Sequence, residues 1–165
     1  VAYTIGLLHC VGMVAIDEWS LRNGHQLSLT TVGFPREATS SERAQLGFTH
    51  AEAGGALLTA WEFPPSMSEP VRWQYTPRAT AGQMTMSCLL YAAKWLRSAV
   101  CAPNVAARPA LPEAIYLQPL GLTPSALSAM VPAIAGRLSE VSSLLYVGEQ
   151  DVAERHRFPA QSWRG

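Results

Sequence analysis

Apolar positions crowd the start of the chain. Between Val1 and Ile16, the residues Tyr3, Ile5, Leu7, Leu8, Cys10, Val11, Met13, Val14 and Ile16 fall on nearly every face of a helix. A helix that is apolar all round is one buried on all sides. The pattern therefore predicts a covered helix, with a preceding segment or another subunit packed over it. Asp17 to Thr39 differs in character. Asn23-Gly24, Gly33 and Pro35 among serines and threonines predict a loop with a short helix around Leu21. Ser40-Ser41-Glu42-Arg43 reads as a cap and a short helix reaching Leu46 and stopped by Gly47.

Helical spacing continues from there. Thr49 is placed to cap a helix from His50 to Trp61, with Glu52 at the capping-box position. Ala53, Ala56, Leu57, Ala60 and Trp61 form its expected buried face. Phe63-Pro64-Pro65 ends that helix and opens another, with Met67, Val71 and Tyr75 in register, a bend at Pro70 and an end near Pro77. From Gln83 to Val100, the positions Met84, Cys88, Tyr91, Ala92, Trp95 and Ala99 mark one face of a long helix. Pro103, Pro109 and Pro112 lie in a connector before a short helix from Glu113 to about Leu117. Thr123-Pro124 opens a last helix with Leu127, Met130, Val131, Ile134, Leu138, Val141 and Leu145 at helical intervals, loosened at Pro132 and Gly136. No strand alternation and no repeat interrupts this, so the expected fold is all-α. It occupies residues 1–146, with a polar tail over 147–165.

Composition narrows the function. The 165 residues carry 12 basic and 12 acidic side chains, and every basic one but Lys94 is arginine. A net charge of +0 is not the footprint of a nucleic-acid-binding surface, nor does it attract anionic lipid. No stretch of about 18 consecutive apolar residues is present, so no membrane span is expected. Cys10, Cys88 and Cys101 form neither a disulfide framework nor a zinc pattern; their apolar surroundings predict buried free thiols in a reducing cytoplasm. Trp61, Trp73 and Trp95 read as core or interface anchors, since no basic groove accompanies them. Gly54-Gly55 inside a helix predicts close helix–helix approach, because no strand precedes it to make a phosphate loop.

Of four histidines, His25 and His156 lie in polar surroundings, while His9 and His50 lie in apolar helices. The segment from Ala2 to Gly12 resembles the HD-motif helix of the HD superfamily. Thr49-His50-Ala51-Glu52-Ala53-Gly54-Gly55-Ala56-Leu57-Leu58, then Trp61, Phe63-Pro64 and Val71-Arg72-Trp73-Gln74-Tyr75-Thr76-Pro77, resemble the HDOD branch, bacterial regulatory relatives of HD-GYP phosphodiesterases. The resemblance extends over roughly residues 1 to 146. It implies a compact HD-like bundle of helices, here its carboxy-terminal portion, lacking the helices that in the family precede the HD-motif helix.

Active HD hydrolases hold divalent metal through His and Asp side chains, and the metal activates a water for phosphoester cleavage. Against that pattern the chain keeps His9 and His50. It has Cys10 in place of Asp, Gln74 and Tyr75 in place of paired His, and Ala93 in place of a later Asp. A hard cation finds no adequate oxygen ligands in such a set. The resemblance therefore implies a vestigial pocket of His9, Cys10, His50, Gln74, Tyr75 and Ala93, without catalytic residue, metal or cofactor. His9 and His50 are expected on neighbouring helices, each buried and hydrogen-bonded. The expected function is a non-catalytic, cytoplasmic signal-transduction module of a bacterial regulator, acting on a protein partner or a fused signalling domain. Two other readings stay open: a metal-dependent phosphohydrolase with an atypical site around His9 and His50, and a scaffold that self-associates through its apolar surface as a homo-oligomer.

Overall fold

A computed structural model describes residues 1–24, 36–77 and 82–141. Within them the fold is all-α, and no strand is present among the described residues. The helices are α1 (Ala2–Leu8), α2 (Val11–Arg22), α3 (Arg36–Leu46), α4 (His50–Ala60), α5 (Pro65–Arg72), α6 (Met84–Cys101), α7 (Ala114–Leu117) and α8 (Pro124–Ala129), followed by a helical stretch over 131–141. His25, His156, Leu145 and the expected polar tail lie outside the described residues.

Two cores share α6. On one side, Ile5, Leu58, Val71 and Leu90 are buried together, with Leu8, Val11, Phe63 and Met67 packed around them. On the other, Tyr91, Trp95, Leu96, Ala99, Leu117, Leu127 and Val131 form a second cluster that also takes in Tyr75 and Ile134. The Trp95 indole donates to the Ala110 carbonyl at 2.9 Å, which ties the proline-rich connector to α6. The expected face of α6 is the buried one, except that Met84 is only half-buried.

The α2–α4–α5 crossing depends on glycines. A Cβ built on Gly12 would overlap the His50 carbonyl oxygen and stand 2.5 Å from the Gly54 nitrogen. One on Gly55 would stand 2.5 Å from Arg72 Cβ. Gly54-Gly55 therefore serves close helix packing, as expected, with α2 over one glycine and α5 over the other. This contact also corrects the expected face of α4. His50, Ala51, Gly54, Gly55 and Leu58 are buried, while Ala56 and Ala60 are exposed and Trp61 is 55% exposed. The smallest side chains, which permit the closest approach, outweigh the larger apolar ones in setting which face turns inward.

The opening helix also departs from expectation. It is interrupted at His9-Cys10 and then runs on to Arg22, past the point where a loop was expected. Only a stripe of Ile5, Gly12, Ile16 and Ser20 is buried. Within this chain Tyr3 (79%), Leu7 (66%) and Val14 (67%) are exposed, and they form the surface that the expected preceding segment or second subunit would cover. The apolar pattern had no direction of its own; Gly12 selects the stripe that meets α4. The run Ala2–Arg22 is long and apolar enough, by length and composition, to cross a membrane, which a count of consecutive apolar residues did not register. Here only the stripe of Ile5, Gly12, Ile16 and Ser20 is buried against the bundle, and most of the run is exposed.

The remaining boundaries follow local chemistry. Thr49 and Glu52 form the expected capping box at α4. Gly47 stops α3 at φ +77°, in the left-handed region that favours glycine. However, α3 begins at Arg36, before the expected cap, with Ser40 and Ser41 inside it and Gln45 Nε2 donating to Ser41 Oγ at 2.8 Å. Pro65 opens α5, which ends at Arg72 rather than near Pro77. Thr123 caps α8 with Pro124 in its first turn. That helix breaks at Met130, just before Pro132; Leu127 and Val131 are buried, and Met130, Leu138 and Val141 are exposed. Among the cysteines only Cys88 is buried; Cys10 is half-buried and Cys101 exposed, so the expectation of three buried thiols is corrected. Of the tryptophans, Trp95 is a core residue and Trp73 is half-buried.

Candidate functional site

The end of α1, the middle of α3, the first residue of α4 and the turn after α5 converge beside α6. His50 is 2% exposed and Glu42, from α3, is 1% exposed. His50 Nδ1 lies 2.7 Å from Glu42 Oε1 and 2.9 Å from Oε2. The His50 backbone N–H donates to Glu42 Oε2 at 2.7 Å. One buried carboxylate thus satisfies both the imidazole and a free N–H in the first turn of α4, where the helix dipole favours negative charge. With Nδ1 committed to a carboxylate, Nε2 faces the Tyr75 hydroxyl at 3.3 Å. The two rings stand edge to face, with centroids 5.3 Å apart.

Gln74 is fully buried. Its Nε2 donates to the His9 carbonyl at 3.0 Å and to the Val71 carbonyl at 2.9 Å. The first bond satisfies a carbonyl freed where the helix breaks between α1 and α2. Gln74 Oε1 has no hydrogen-bond partner. His9 is half-buried and turns Nδ1 back to the Gly6 carbonyl at 2.7 Å.

Lys94, the chain's single lysine, enters this pocket from α6. Its Nζ lies 4.4 Å from the centroid of the Tyr75 ring, a cation–π contact. Burial pushes the Lys94 ammonium down to about 8, and the neighbouring Cys10 and Glu42 partly counter this. Burial also lowers the His9 pKa, with Lys94, Arg97 and His50 adding to the effect against its bond to Gly6. Burial raises the Tyr75 phenol well above its ordinary range, reinforced by Cys10 and Glu42.

The structure therefore brings His9, Cys10, His50, Gln74 and Tyr75 into one region, with the two histidines on elements that both adjoin the Gln74-Tyr75 turn. It does not bring in Ala93, which lies exposed on α6. The residue that reaches the pocket is the next one, Lys94. About 100° of helical rotation per residue separates the two, and the spacing used to align Ala93 carried no information on which side of α6 faced inward. Sequence reasoning missed Glu42 and Lys94. Glu42 sits in a serine-rich stretch with no apolar pattern to mark it as buried. Lys94 left a trace: it is a lone lysine between the core pairs Tyr91-Ala92 and Trp95-Leu96 of one helix.

This set of groups does not fit a divalent cation. The carboxylate is engaged by His50, one His9 nitrogen is turned to its own helix, and an ammonium occupies the neighbourhood. No group of three or more His, Cys, Asp and Glu able to hold a metal ion is found among the described residues.

Residues 1–77 match the family model of the HDOD domain. The match ends at Pro77, so α6 and the helices after it, to which the sequence resemblance was extended, lie beyond it. No curated protein and no solved structure matches the chain.

Proposed function

Since residues 1–77 match the family model of the HDOD domain, we propose that the chain is a non-catalytic signalling module of a bacterial regulator, acting in the cytoplasm through protein contacts. The observation that carries this reading is the ammonium of Lys94 in the pocket beside His9, Cys10 and the Glu42–His50 pair. A tethered cation repels the metal that would activate a water there, and Glu42 is held by the imidazole it would otherwise free for ligation. What remains is a set of hydrogen bonds joining α1, α3, α4 and the α5 turn. Such a network transmits displacement between helices without chemistry.

The test is elemental analysis together with hydrolysis assays on phosphodiesters, cyclic dinucleotides and nucleotides. The expected outcome is no stoichiometric transition metal and no turnover. About one metal per chain, with hydrolysis abolished by His50→Ala, would instead establish the phosphohydrolase reading. A self-associating scaffold is favoured by one separate observation, the exposed Tyr3, Leu7 and Val14 on α1 and α2. Sedimentation across a concentration series, set beside partner pull-down, distinguishes it.

A further inference from the structure

A cleft of about 340 Å³ opens on the other side of Tyr75, between α3, the first turn of α4 and the end of α5. Its size is that of a small-molecule site. Its walls include Arg43, Thr49, Glu52, Arg72, Trp73 and Thr76. The charges in these walls differ in how they are used. Glu52 Oε2 accepts from Arg43 Nη2 at 2.8 Å, from the Thr49 N–H at 2.9 Å and from the Thr49 hydroxyl at 3.0 Å. That carboxylate is spent inside the protein. Arg72 is not used in this way. Its Nε is buried without a hydrogen-bond partner, and the nearest carboxylate oxygen, Glu69 Oε1, is 3.7 Å away. The other Glu69 oxygen accepts from the Trp73 indole at 2.8 Å.

Arg72 is also fixed in place. A Cβ on Gly55 would stand 2.5 Å from Arg72 Cβ and 3.0 Å from its Nε, so the side chain lies directly on the surface of α4. A guanidinium has five N–H donors and no acceptor. The Arg72 Nε is enclosed against α4, but a third of the side chain stays exposed in the cleft wall, with Arg43 among the other walls, so its terminal N–H groups are open to an acceptor from outside the chain. An ammonium or metal ion is disfavoured by the two guanidinium groups. A purely apolar ligand would leave the Arg72 guanidinium without a hydrogen-bond partner.

We propose that this cleft binds a small oxyanion, a carboxylate or phosphate group, with Arg72 as its main contact and Arg43 as the second. The site is separate from the His50 pocket and does not depend on the signalling reading. Both oxyanions match the flat fork of a guanidinium.

The test is titration of the intact chain with inorganic phosphate and, separately, with succinate, at constant ionic strength set by chloride. The readout is the shift of the Trp73 indole N–H and Thr49 backbone N–H resonances, which line the cleft and are kept in every variant, joined by the Arg72 Nε–H in the unsubstituted protein. A saturable shift with phosphate, succinate or both is expected, and which of them acts identifies the group. Arg72→Met should weaken that binding roughly tenfold or more, as loss of a charge-assisted hydrogen bond does. Arg43→Gln, at an exposed side chain, should weaken it less, and it supplies the second variant if Arg72→Met does not fold. No saturable shift with either anion, a shift that chloride reproduces, or unchanged affinity in the variants that fold would each overturn the proposal.

Discussion

Lys94 is the residue whose cost the fold carries most visibly. Its ammonium is buried in part and its pKa falls from 10.5 to about 8. The unfolded chain therefore keeps a proton that the folded chain has released between these values. Stability rises with pH wherever the unfolded state binds more protons. Lys94 is thus destabilising at and below pH 8, and that penalty is relieved as pH climbs toward 10.5. The Tyr75 and Tyr91 phenols, raised by burial, act in the opposite sense above their ordinary value of 10. The clean window lies between pH 8 and 10. Unfolding free energies of the unsubstituted chain and of Lys94→Met, measured by urea at several pH values, should converge across that window, with Lys94→Met the more stable at pH 7. A difference that stays constant with pH would show that Lys94 is solvated in both states. Glu42 is buried too, as a hydrogen-bond partner of His50. Removing Glu42 alone would leave the buried His50 imidazole and N–H without their partner, at a cost of about 1–3 kcal/mol for each unsatisfied buried polar group.

At the scale of helices, glycines set the geometry, and their roles are separable. Gly6 and Gly12 both lie in the opening helical run, but a Cβ on Gly6 meets nothing within 4 Å, whereas one on Gly12 overlaps the backbone of α4. Gly6→Ala should stabilise the chain by about 0.8–1.0 kcal/mol through helix propensity alone. Gly12→Ala should destabilise it by about 1–3 kcal/mol or more, because α2 must move off α4. Thermal melting of the two variants reads the opposite signs. If both shift the same way, the α2–α4 crossing is looser than the glycine contact requires.

For the whole molecule, the outward side of α1 and α2 stands out. Tyr3, Leu7, Val14 and Leu21 are large, apolar and mostly exposed. Contiguous apolar surface beyond a few hundred Å² marks an interaction site in most soluble proteins. The combined substitution Tyr3→Ser, Leu7→Glu and Val14→Glu should leave the melting temperature nearly unchanged, since these side chains make little buried contact. It should also abolish any concentration dependence in sedimentation and reduce binding of a hydrophobic dye. Loss of folding in this variant would mean that the face is part of the core.

The chain's sequence by itself determined most of the elements and those ends that are set by local caps and breakers. The Thr49–Glu52 capping box, Pro65, Gly47 and Thr123-Pro124 act on neighbours within a few residues, so local spacing suffices to read them. It also identified His50, Gln74 and Tyr75 as members of one site, through a resemblance that spans three segments. Orientation was decided only in the tertiary structure. Nearly uniform apolar character left α1 and α2 free to bury any stripe, and the inward face of α4 followed from backbone approach at Gly54-Gly55 rather than from its larger apolar side chains. Whether α6 offers Ala93 or Lys94 to the pocket depends on one residue of helical phase, set by core packing on both of its sides. Glu42 could be placed only once α3 lay across the start of α4, because a buried hydrogen-bonded pair is an agreement between two segments and leaves no period in either.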